Sequence, residues 1–456
     1  MALLYSKFIY LVFVQQTMLR THTCGELRET NAGKTVTLCG WLDTLRISGK
    51  ISFMLLRDRN GITQVFLDKN LTEQAQSLKK ESIVLVEGVV NKRPENQVKK
   101  EMATGTIELG ATRVELINLA ETPLPIEVQE ETTTHMDKRL DYRFLDVRRD
   151  KVKNIFRVRS KIYSTTIQFF DQEEFVAIQT PKLTASGVES GAEEFKIPYF
   201  GKTASLAQSP QVYKQMFVVS GLEKVYEIAP IFRAEKSHTT RHLTEFIGID
   251  FEMGFIKDEH DVMDLIEKYV KFLLTKMKDS CKTELAELSV TIEVPKEIPR
   301  LSLIEMRKWL KEKGKIIPED EDLDAEGEKM IGDHVKEKYN SDFVFMLDYP
   351  WKKRPFYHMR PDNNKNVTKS FDLLYKGVEI GTGAQREHRL DILEAQCAEK
   401  SIDFKKMAFY RDIFRYGCPP HGGVGLGLDR ITQQMLNLEN VREAILLPRD
   451  PERLTP

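Results

Sequence analysis

The segment from Gln208 to Phe246 constrains this chain more than any other, because it joins a glutamine-rich polar cluster, an apolar run and a group of charged residues. Arg233, Arg241 and His242 can meet the charges of a triphosphate, since a guanidinium offers a planar fork of donors. Phe246 can stack on a base. The segment therefore predicts an anion clamp beside an aromatic platform. The alternative is that these residues are ordinary surface charges.

A glycine-rich segment far downstream is suited to the same ligand. Residues 422–430 read GGVGLGLDR, which is typical of a strand-to-helix junction that lets a nucleotide approach the backbone, although this signal alone is weak. With the FRAE and RH residues of the first segment, it resembles motifs 2 and 3 of the class II aminoacyl-tRNA synthetases. The strand ending at Pro181 resembles motif 1, and QSPQVYK at 208–214 resembles the aspartyl-tRNA synthetase family.

Apolar alternation over residues 35–118, interrupted by glycine-containing breaks, predicts five short strands in a small closed barrel, for which an OB-fold is the natural candidate. Helical spacing predicts helices over 150–171 and 259–278, a strand is expected over 174–181, and the acidic stretch 318–328 is interpreted as a solvated loop. Further strands are expected at 343–347, 370–374 and 424–428.

The resemblance covers residues 18–456 and implies an α+β chain. It would contain an OB-fold anticodon-binding barrel at 18–122, a linker at 123–138, and at 139–456 a class II catalytic domain with an antiparallel sheet flanked by helices. Residues 1–17 are interpreted as an extension or a mis-assigned start, and a targeting signal is the alternative, since a short apolar run follows Lys7. About ninety residues separate motif 2 from Phe343, which leaves no room for the large bacterial insertion. The catalytic half is therefore expected to be archaeal or eukaryotic in type.

The charge and cysteine content restrict the partners and the compartment. The 456 residues carry a formal net charge of −1, so any RNA contact must use local basic patches and not bulk attraction. The five cysteines are scattered without zinc-type spacing, which favours reduced thiols and a cytoplasmic location. No apolar run reaches the ~20 residues of a membrane helix, so no membrane contact is expected.

Asp372 and Glu379 lie on either side of a Lys-Gly turn. On adjacent strands their carboxylates can converge, and two carboxylates that face a triphosphate are expected to hold Mg²⁺. The alternative is a hairpin with solvent-facing acids. The resemblance adds Thr382 to the metal site and implies ATP as a substrate.

A small dicarboxylic amino acid needs cations near its side chain and an anion near its ammonium group. The resemblance implies that Lys214 and Arg386 hold the side-chain carboxylate, that Glu189 faces the α-amino group, and that Asp250 braces the cations. The expected aspartate-binding set is Glu189, Gln211, Lys214, Arg233, Asp250, Thr382 and Arg386.

The resemblance also implies how ATP is held. Arg233 would bridge the amino acid and the α-phosphate, Phe246 and Arg430 would sandwich adenine, and Glu235 would recognise its amino edge. Asp429 departs from the family pattern, which usually has glutamate there. The expected ATP-binding set is Arg233, Glu235, Arg241, His242, Leu243, Phe246, Glu379, Gly427, Asp429 and Arg430.

Phe53 on one barrel strand can stack a base, Gln64 on the next can read its edge, and Arg46 lies nearby. The resemblance implies that this face holds anticodon bases, whereas the alternative places Phe53 in the barrel core. Motif 1 at Pro181 implies a homodimer interface. The small-residue segment 184–192 is interpreted as a mobile lid, with a fixed surface turn as the alternative.

The predicted function is that of an aspartate–tRNA ligase, which activates L-aspartate with ATP and transfers it to the 3′ end of tRNA(Asp), with tRNA(Asn) as a second candidate acceptor. Two other functions stay open. An asparagine–tRNA ligase should lack a fixed cation at Lys214, because an amide carries no charge to balance. A catalytically silent RNA-binding paralogue is disfavoured by the intact motif residues.

Overall fold

The computed structural model of the chain describes residues 19–129, 133–185, 193–236 and 239–456. It divides into two compact units, Met1–Pro125 and Ile126–Pro456. Residues 1–17, Glu189 and most of the predicted lid lie outside the described residues. Within the described ranges, no helix combines the length and the apolar character that crossing a bilayer requires.

The first unit is a closed barrel with strand order β1-β2-β3-β5-β4, as the alternation predicted. Side chains of every second residue point inward, for example Leu38, Leu56, Val65 and Val86, which are fully buried. The elements are β1 (Thr35–Ser48), β2 (Ile51–Asp58), β3 (Gly61–Leu67), α1 (Lys69–Ala75), β4 (Ile83–Lys92) and β5 (Ile107–Asn118).

The second unit is built on an eight-stranded sheet that is mainly antiparallel, with a separate three-stranded sheet. Its strands are β6 (Val176–Ala177), β7 (Leu183–Thr184), β8 (Lys196–Tyr199), β9 (Lys202–Leu206), β10 (Lys224–Phe232), β11 (Glu245–Gly254), β12 (Arg300–Ser302), β13 (Phe343–Leu347), β14 (Ser370–Tyr375), β15 (Val378–Gln385) and β16 (His421–Gly427). The large sheet has the order β12-β13-β14-β15-β16-β11-β10-β6, and the small one β7-β9-β8.

Helices cover this sheet. They are α2 (Met136–Asp141), α3 (Arg143–Asp146), α4 (Asp150–Gln172), α5 (Gln211–Phe217), α6 (Glu259–Ser280), α7 (Lys282–Glu287), α8 (Leu303–Glu312), α9 (Ala325–Tyr339), α10 (Leu390–Glu399), α11 (Ala408–Arg415) and α12 (Leu428–Met435). The predicted helices at 150–171 and 259–278 are confirmed within two residues as α4 and α6. The strand expected at 174–181 is shorter, since only β6 pairs there.

The two faces of the large sheet pack against different helices. On one face, residues such as Phe345, Leu373 and Leu426 pack against α4 and α6 in the main apolar core. On the other, Val344 and Met346 of β13 pack against α8 and α9. β14 is therefore buried at every residue. At β11, β15 and β16 this second face opens into a cavity, so the fold places an accessible floor beside a fully packed strand.

The interpretation of residues 318–328 as a solvated loop is wrong for its last part. Glu328 lies in the first turn of α9, and its side chain is only 14% exposed. It is held there because Arg241 Nη1 donates to its carboxylate at 2.9 Å. A pairing between residues so far apart in the chain has no signature in a local charge pattern.

Three arginines surround one buried carboxylate where the second unit begins. Asp146 accepts hydrogen bonds from Arg139, Arg143 and Arg149 at 2.9, 2.6 and 2.9 Å. Arg143 also donates to the carbonyls of Glu443 and Ile445, which ties this corner to the C-terminal part of the chain. Burial opposes ionisation of Asp146, but the arginines hold its pKa below the ordinary value.

Replacing Asp146 by asparagine is expected to destabilise this unit by about 3–5 kcal/mol at pH 7, because it leaves buried arginines without their counter-charge. A carboxylate with a lowered folded-state pKa stabilises the fold above its unfolded pKa of about 3.9 and loses this effect as the pH falls through the folded value. The difference in unfolding free energy between wild type and variant should therefore shrink as the pH falls. Urea unfolding from pH 7 to pH 3 measures it.

The matched control is Asp412→Asn, which removes a carboxylate from an exposed pair with Arg415. It should change the unfolding free energy little at any pH. A gap for Asp146→Asn that stayed constant down to pH 3 would contradict the proposed role of the carboxylate charge.

Candidate active site

A cavity of about 290 Å³ lies on the open face of the large sheet, over β11, β15 and β16. Most residues expected to bind aspartate, ATP or metal line it, although they are scattered through the sequence. They are Gln211, Arg233, Glu235, Arg241, His242, Leu243, Phe246, Asp250, Glu379, Thr382, Arg386, Gly427, Asp429 and Arg430. Lys214 and Asp372 lie behind this lining, and Glu189 is outside the described residues.

The glycines of β16 make room for carboxylates on the neighbouring strand. Gly423 pairs with Glu252 and Gly425 with Asp250 in the β11–β16 register. A Cβ at Gly423 would approach Glu252 Oε2 to 2.3 Å, and one at Gly425 would approach Asp250 Oδ1 to 3.1 Å. The glycine-rich pattern therefore serves buried acids as well as the approach of a nucleotide that the sequence suggested.

Four charged side chains form a buried set at the cavity floor, with Asp250 and Arg386 in the lining and the other two behind it. Lys214 Nζ donates to Asp250 Oδ1 at 3.0 Å and to the Val424 carbonyl at 3.1 Å, and lies 3.4 Å from Glu252. Arg386 donates twice to Glu252, at 2.9 and 3.2 Å. The two formal positive charges are thus matched by two negative ones. We name Lys214, Asp250, Glu252 and Arg386 the charge set.

The protonation states within the charge set follow from its partners. Burial opposes ionisation of Glu252, but Arg386 and Lys214 hold its pKa below the ordinary value, so it is a carboxylate. Burial and the charge of Arg386 lower the pKa of His358 well below its usual range. Since a guanidinium can only donate, the neutral imidazole accepts from Arg386 Nη1 through Nε2 at 3.0 Å. Arg386 is therefore held on two sides.

The residues of the anion clamp occupy one wall of the cavity. The Arg233 guanidinium lies 5.4 Å from the centre of the Phe246 ring, and its Nε has no hydrogen-bond partner within the described ranges. Arg430 donates to the carbonyls of Glu379 and Arg241 at 2.9 and 3.3 Å. Phe246 thus lies under Arg233 in this structure, and the sandwich of adenine between Phe246 and Arg430 stays a prediction.

His242 completes this wall beside the arginines. Burial and the charge of Arg430 lower its pKa, so the ring is neutral at pH 7 and offers a hydrogen-bonding group to the cavity instead of a charge. Asp429 faces the cavity, but its two oxygens accept from Arg159 at 2.6 Å and from the Ile247 amide at 2.8 Å. Asp429 therefore fastens α12 to α4 and β11.

The predicted metal ligands form two layers. Thr382 Oγ1 donates to Glu379 Oε1 at 3.0 Å at the cavity surface. Behind them, Asp372 accepts two hydrogen bonds from Arg354, at 3.0 and 2.7 Å. Burial raises the pKa of Asp372 although Arg354 opposes this. Asp372 is thus paired with an arginine in this structure, and of the three predicted metal ligands Glu379 and Thr382 face the cavity.

These residues fit a Mg²⁺ ion. Burial and the nearby charge of Glu379 raise the pKa of Glu328 to about 7, although Arg241 opposes this, so a further cation would be favoured beside Glu379. Glu379 and Thr382 supply the hard oxygens that Mg²⁺ prefers. No cluster of three or more His, Cys, Asp or Glu with metal-ligand geometry occurs in the described parts of the chain. An ion here would need phosphate oxygens or water as further ligands.

In the barrel unit, the residues expected to read bases are neighbours on one outer face. Arg46 pairs with Phe53 across β1 and β2, and Phe53 pairs with Phe66 across β2 and β3. Gln64 is opposite Leu55, two residues from Phe53, and accepts from Lys99 at 2.8 Å. Phe53 is half-buried and its ring centre lies 5.7 Å from that of Phe66. The structure thus places Phe53 at the surface of the barrel.

Sequence reasoning missed several residues that the fold brings to these sites. Glu252 lies two residues after Asp250, so the period of a strand could have indicated it. Arg354 and Glu328 carry no such local signal. In the barrel, Arg93 is buried 4.0 Å from Glu108, and its three guanidinium nitrogens have no hydrogen-bond partner within the described ranges.

Comparison with known proteins agrees with this geometry. Residues 135–451 match the family of class II tRNA synthetases (D, K and N). The chain belongs to this family. Residues 36–117 match the OB-fold nucleic acid binding domain, which confirms the predicted nature of the barrel.

Individual members of the class II synthetase family cover nearly the whole chain. The aspartate–tRNA(Asp) ligase of Thermococcus kodakarensis is 43% identical over 96% of this chain and 100% of its own length. The aspartate–tRNA(Asp/Asn) ligase of Aeropyrum pernix is 42% identical over 94% of this chain and 97% of its own.

Two solved synthetase structures share the complete architecture. Aspartyl tRNA synthetase from Entamoeba histolytica has a TM-score of 0.86 at 31% identity, covering 97% of this chain and 94% of its own. Asparaginyl-tRNA synthetase from Pyrococcus horikoshii with asparaginyl-adenylate has a TM-score of 0.86 at 32% identity, covering 95% and 99%. The fold is therefore shared by enzymes for both amino acids, and the choice between them depends on the pocket.

Proposed function

We propose that this protein is an aspartate–tRNA ligase that forms aspartyl-adenylate from L-aspartate and ATP and transfers the aspartyl group to tRNA(Asp). The observation that supports it most is the buried charge set beside an arginine clamp, in a chain over 40% identical to aspartate–tRNA ligases across nearly its full length. Lys214 and Arg386 favour a substrate with a charged side chain over its amide.

The first step needs no protein nucleophile. An oxygen of the aspartate α-carboxylate forms a bond to the α-phosphorus of ATP, and the bond from that phosphorus to the bridging oxygen breaks, releasing pyrophosphate. Arg233 would hold both reacting groups, because its Nε is unpaired among the described residues and it lines the cavity. Arg241, His242 and Arg430 would hold the outer phosphates. Alignment of this kind can contribute roughly 7–11 kcal/mol to catalysis.

In the second step a hydroxyl of the 3′-terminal ribose of tRNA attacks the aspartyl carbonyl, and AMP leaves. Gln211 would bind the amino acid at the cavity edge, since its buried amide nitrogen has no hydrogen-bond partner among the described residues. Glu189 would meet the α-amino group as part of the 184–192 lid. Glu235 and Leu243 would contact adenine.

We further propose that Glu379 and Thr382 hold Mg²⁺, with Asp372 and Arg354 supporting them from behind. When bound, the ion would neutralise phosphate charge next to the clamp. The remaining proposals are a homodimer with Pro181 at its interface, which is exposed in the single chain, and a cytoplasmic location.

Pyrophosphate exchange tests the proposed activity directly. Aspartate, ATP and Mg²⁺ should support exchange, and a panel of amino acids should show it for aspartate but not for asparagine. A folded sample without exchange at saturating substrates would contradict the enzyme proposal and favour a silent paralogue. Exchange with asparagine alone would favour the asparagine–tRNA ligase. Charging transcripts of tRNA(Asp) and tRNA(Asn) would establish whether one or both are acceptors.

The barrel face gives a separate prediction. Replacing Phe53 by alanine is expected to raise the KM for tRNA in aminoacylation by roughly five- to a hundredfold, because a base–aromatic stack contributes ~1–3 kcal/mol. Pyrophosphate exchange should stay unchanged. Ile51→Ala is the matched control, since Ile51 is exposed on the same strand face. Equal effects of both variants would mean that Phe53 has only a structural role.

A further inference from the structure

An acidic run and a basic run pair residue by residue beside the cavity. Asp320 pairs with Lys352 at 2.5 Å, Glu321 with Lys353 at 2.6 Å, and Asp322 with Arg354 at 3.9 Å. Each run is continuous in sequence, and the pairs follow the same order along both. We name residues 320–322 the acidic strap and residues 352–354 the basic run.

The acidic strap has a fixed backbone, since Arg307 donates to the Glu321 carbonyl, but the side chains of Asp320 and Glu321 are weakly held. Ile317 on one side and Leu323 on the other pack into the apolar cluster of α8 and α9. The Asp320 and Lys352 side chains are 55% and 65% exposed, and those of Glu321 and Lys353 are 44% and 35% exposed. Ion pairs this exposed contribute little stability. The carboxylates of Asp320 and Glu321 can therefore leave their lysines while Ile317 and Leu323 keep the ends of the strap in place.

The basic run lies at the edge of the cavity. Lys353 and Arg354 line it together with the arginines of the clamp. Arg354 is fixed, because it donates twice to Asp372 and lies 3.7 Å from the centre of the Tyr349 ring. The ammonium groups of Lys352 and Lys353 instead pair with exposed acids of the strap. These two lysines are the exchangeable cations of the run.

We propose that Lys352 and Lys353 bind the phosphates next to the 3′-terminal nucleotide of tRNA, and that the acidic strap occupies these lysines in the free protein. This inference rests on the proposed function. The terminal ribose must enter the cavity to reach the adenylate, so the phosphates that precede it must lie at the cavity edge. Carboxylates that already pair with the lysines occupy the positions that phosphate oxygens would take.

The replacement of the strap carboxylates by tRNA phosphates is favoured by a difference between these two kinds of anion. A polynucleotide releases condensed counterions when lysines neutralise its phosphates, and this gain is absent when the strap rebinds. Displacing the strap costs the same free energy for any anion at these lysines, and a tRNA offsets this cost because its terminal nucleotide is also held in the cavity.

The test neutralises the strap without altering the lysines. Asp320→Asn/Glu321→Gln is expected to lower the KM for tRNA in aminoacylation about three- to fivefold, since two weak competing pairs are removed. The KM values for ATP and aspartate in pyrophosphate exchange should not change. The control is Glu326→Gln/Asp362→Asn, which removes the same net charge from exposed pairs with Lys315 and Lys365. It should leave the KM for tRNA unchanged.

Two further measurements locate the RNA segment that the lysines bind. The strap variant should bind tRNA more tightly than the wild type does, and this gain in affinity should vanish for a transcript that lacks its last three nucleotides. Lys352→Gln/Lys353→Gln should raise the KM for tRNA about fivefold. It should also reduce the slope of log affinity against log salt by about 0.7 for each phosphate that the variant no longer neutralises.

Several outcomes would overturn the proposal. An unchanged KM for tRNA in the strap variant, or an equal change in its control, would show that the acids do not compete with RNA. A gain that persists with the shortened transcript would place the lysines against another part of the tRNA. A higher KM for ATP in the lysine variant would assign the lysines to ATP phosphates. Loss of pyrophosphate exchange in the wild type would instead refute the proposed function itself.

Discussion

Replacing Arg233 by glutamine is expected to slow aspartyl-adenylate formation by about a hundred- to a thousandfold, which is the usual cost of removing one donor to a developing oxyanion. Arg233 is suited to this role because it lines the cavity and its Nε has no hydrogen-bond partner within the described ranges. Its distance of 5.4 Å from the Phe246 ring keeps it over the wall where the α-phosphate would lie.

Single-turnover formation of the adenylate measures this effect without interference from tRNA binding. Lysine at position 233 should rescue only part of the rate, because an ammonium cannot form the planar fork of a guanidinium. Arg415→Gln is the control, since this arginine is exposed on α11 and pairs with Asp412 at 2.9 Å, away from the cavity lining. A rate for Arg233→Gln within threefold of wild type would contradict the assigned role.

Replacing Lys214 by methionine is expected to weaken aspartate binding by about ten- to a hundredfold, since a charge-assisted interaction contributes ~1.5–3 kcal/mol. Lys214 is 2% exposed and lies behind the cavity lining, with its ammonium engaged by Asp250 and a backbone carbonyl. Its effect on aspartate is therefore mainly electrostatic. Without it, Asp250 and Glu252 would repel the incoming carboxylate.

Isothermal titration with aspartate and with ATP separates this effect from a general loss of structure. ATP affinity should stay within about twofold, because the clamp does not use Lys214. The variant should also lose about 3–5 kcal/mol of folding free energy, as expected when a buried ion pair is broken. The titrations are therefore carried out at a temperature where the variant is folded. Lys224→Met, on the same sheet in β10, is the control. Equal loss of affinity for both ligands would mean that Lys214 only supports the fold.

The parts of the fold and of the cavity lining that the sequence indicated depend on short-range patterns. The barrel follows from apolar alternation, and the clamp from arginine, glutamate and histidine residues close together in the chain. The glycine-rich junction was found as a pattern, but its physical reason was incomplete, because the acids opposite Gly423 and Gly425 become visible only in the strand register.

What sequence could not provide are pairings between distant segments. Glu252 and Arg386 are 134 positions apart, and Asp372, which is predicted to hold a metal, pairs with Arg354, a partner that the sequence did not indicate. Glu328 was interpreted as solvated, although it accepts a hydrogen bond from Arg241, which is 87 positions away in the sequence. In each case the charge of a residue was evident but its partner was not, since local composition does not determine which strands and loops become neighbours.

The close approach of the β16 glycines to the β11 carboxylates has a consequence for engineering a changed amino-acid specificity. Any side chain at Gly423 would displace Glu252, so random libraries at this strand would mostly yield misfolded protein. Ser209, Pro355 and Tyr357 also line the cavity, and none of them belongs to the charge set. Selection experiments should therefore hold the glycine strand and the charge set constant and vary these three side chains, where the pocket can change shape without dismantling its floor.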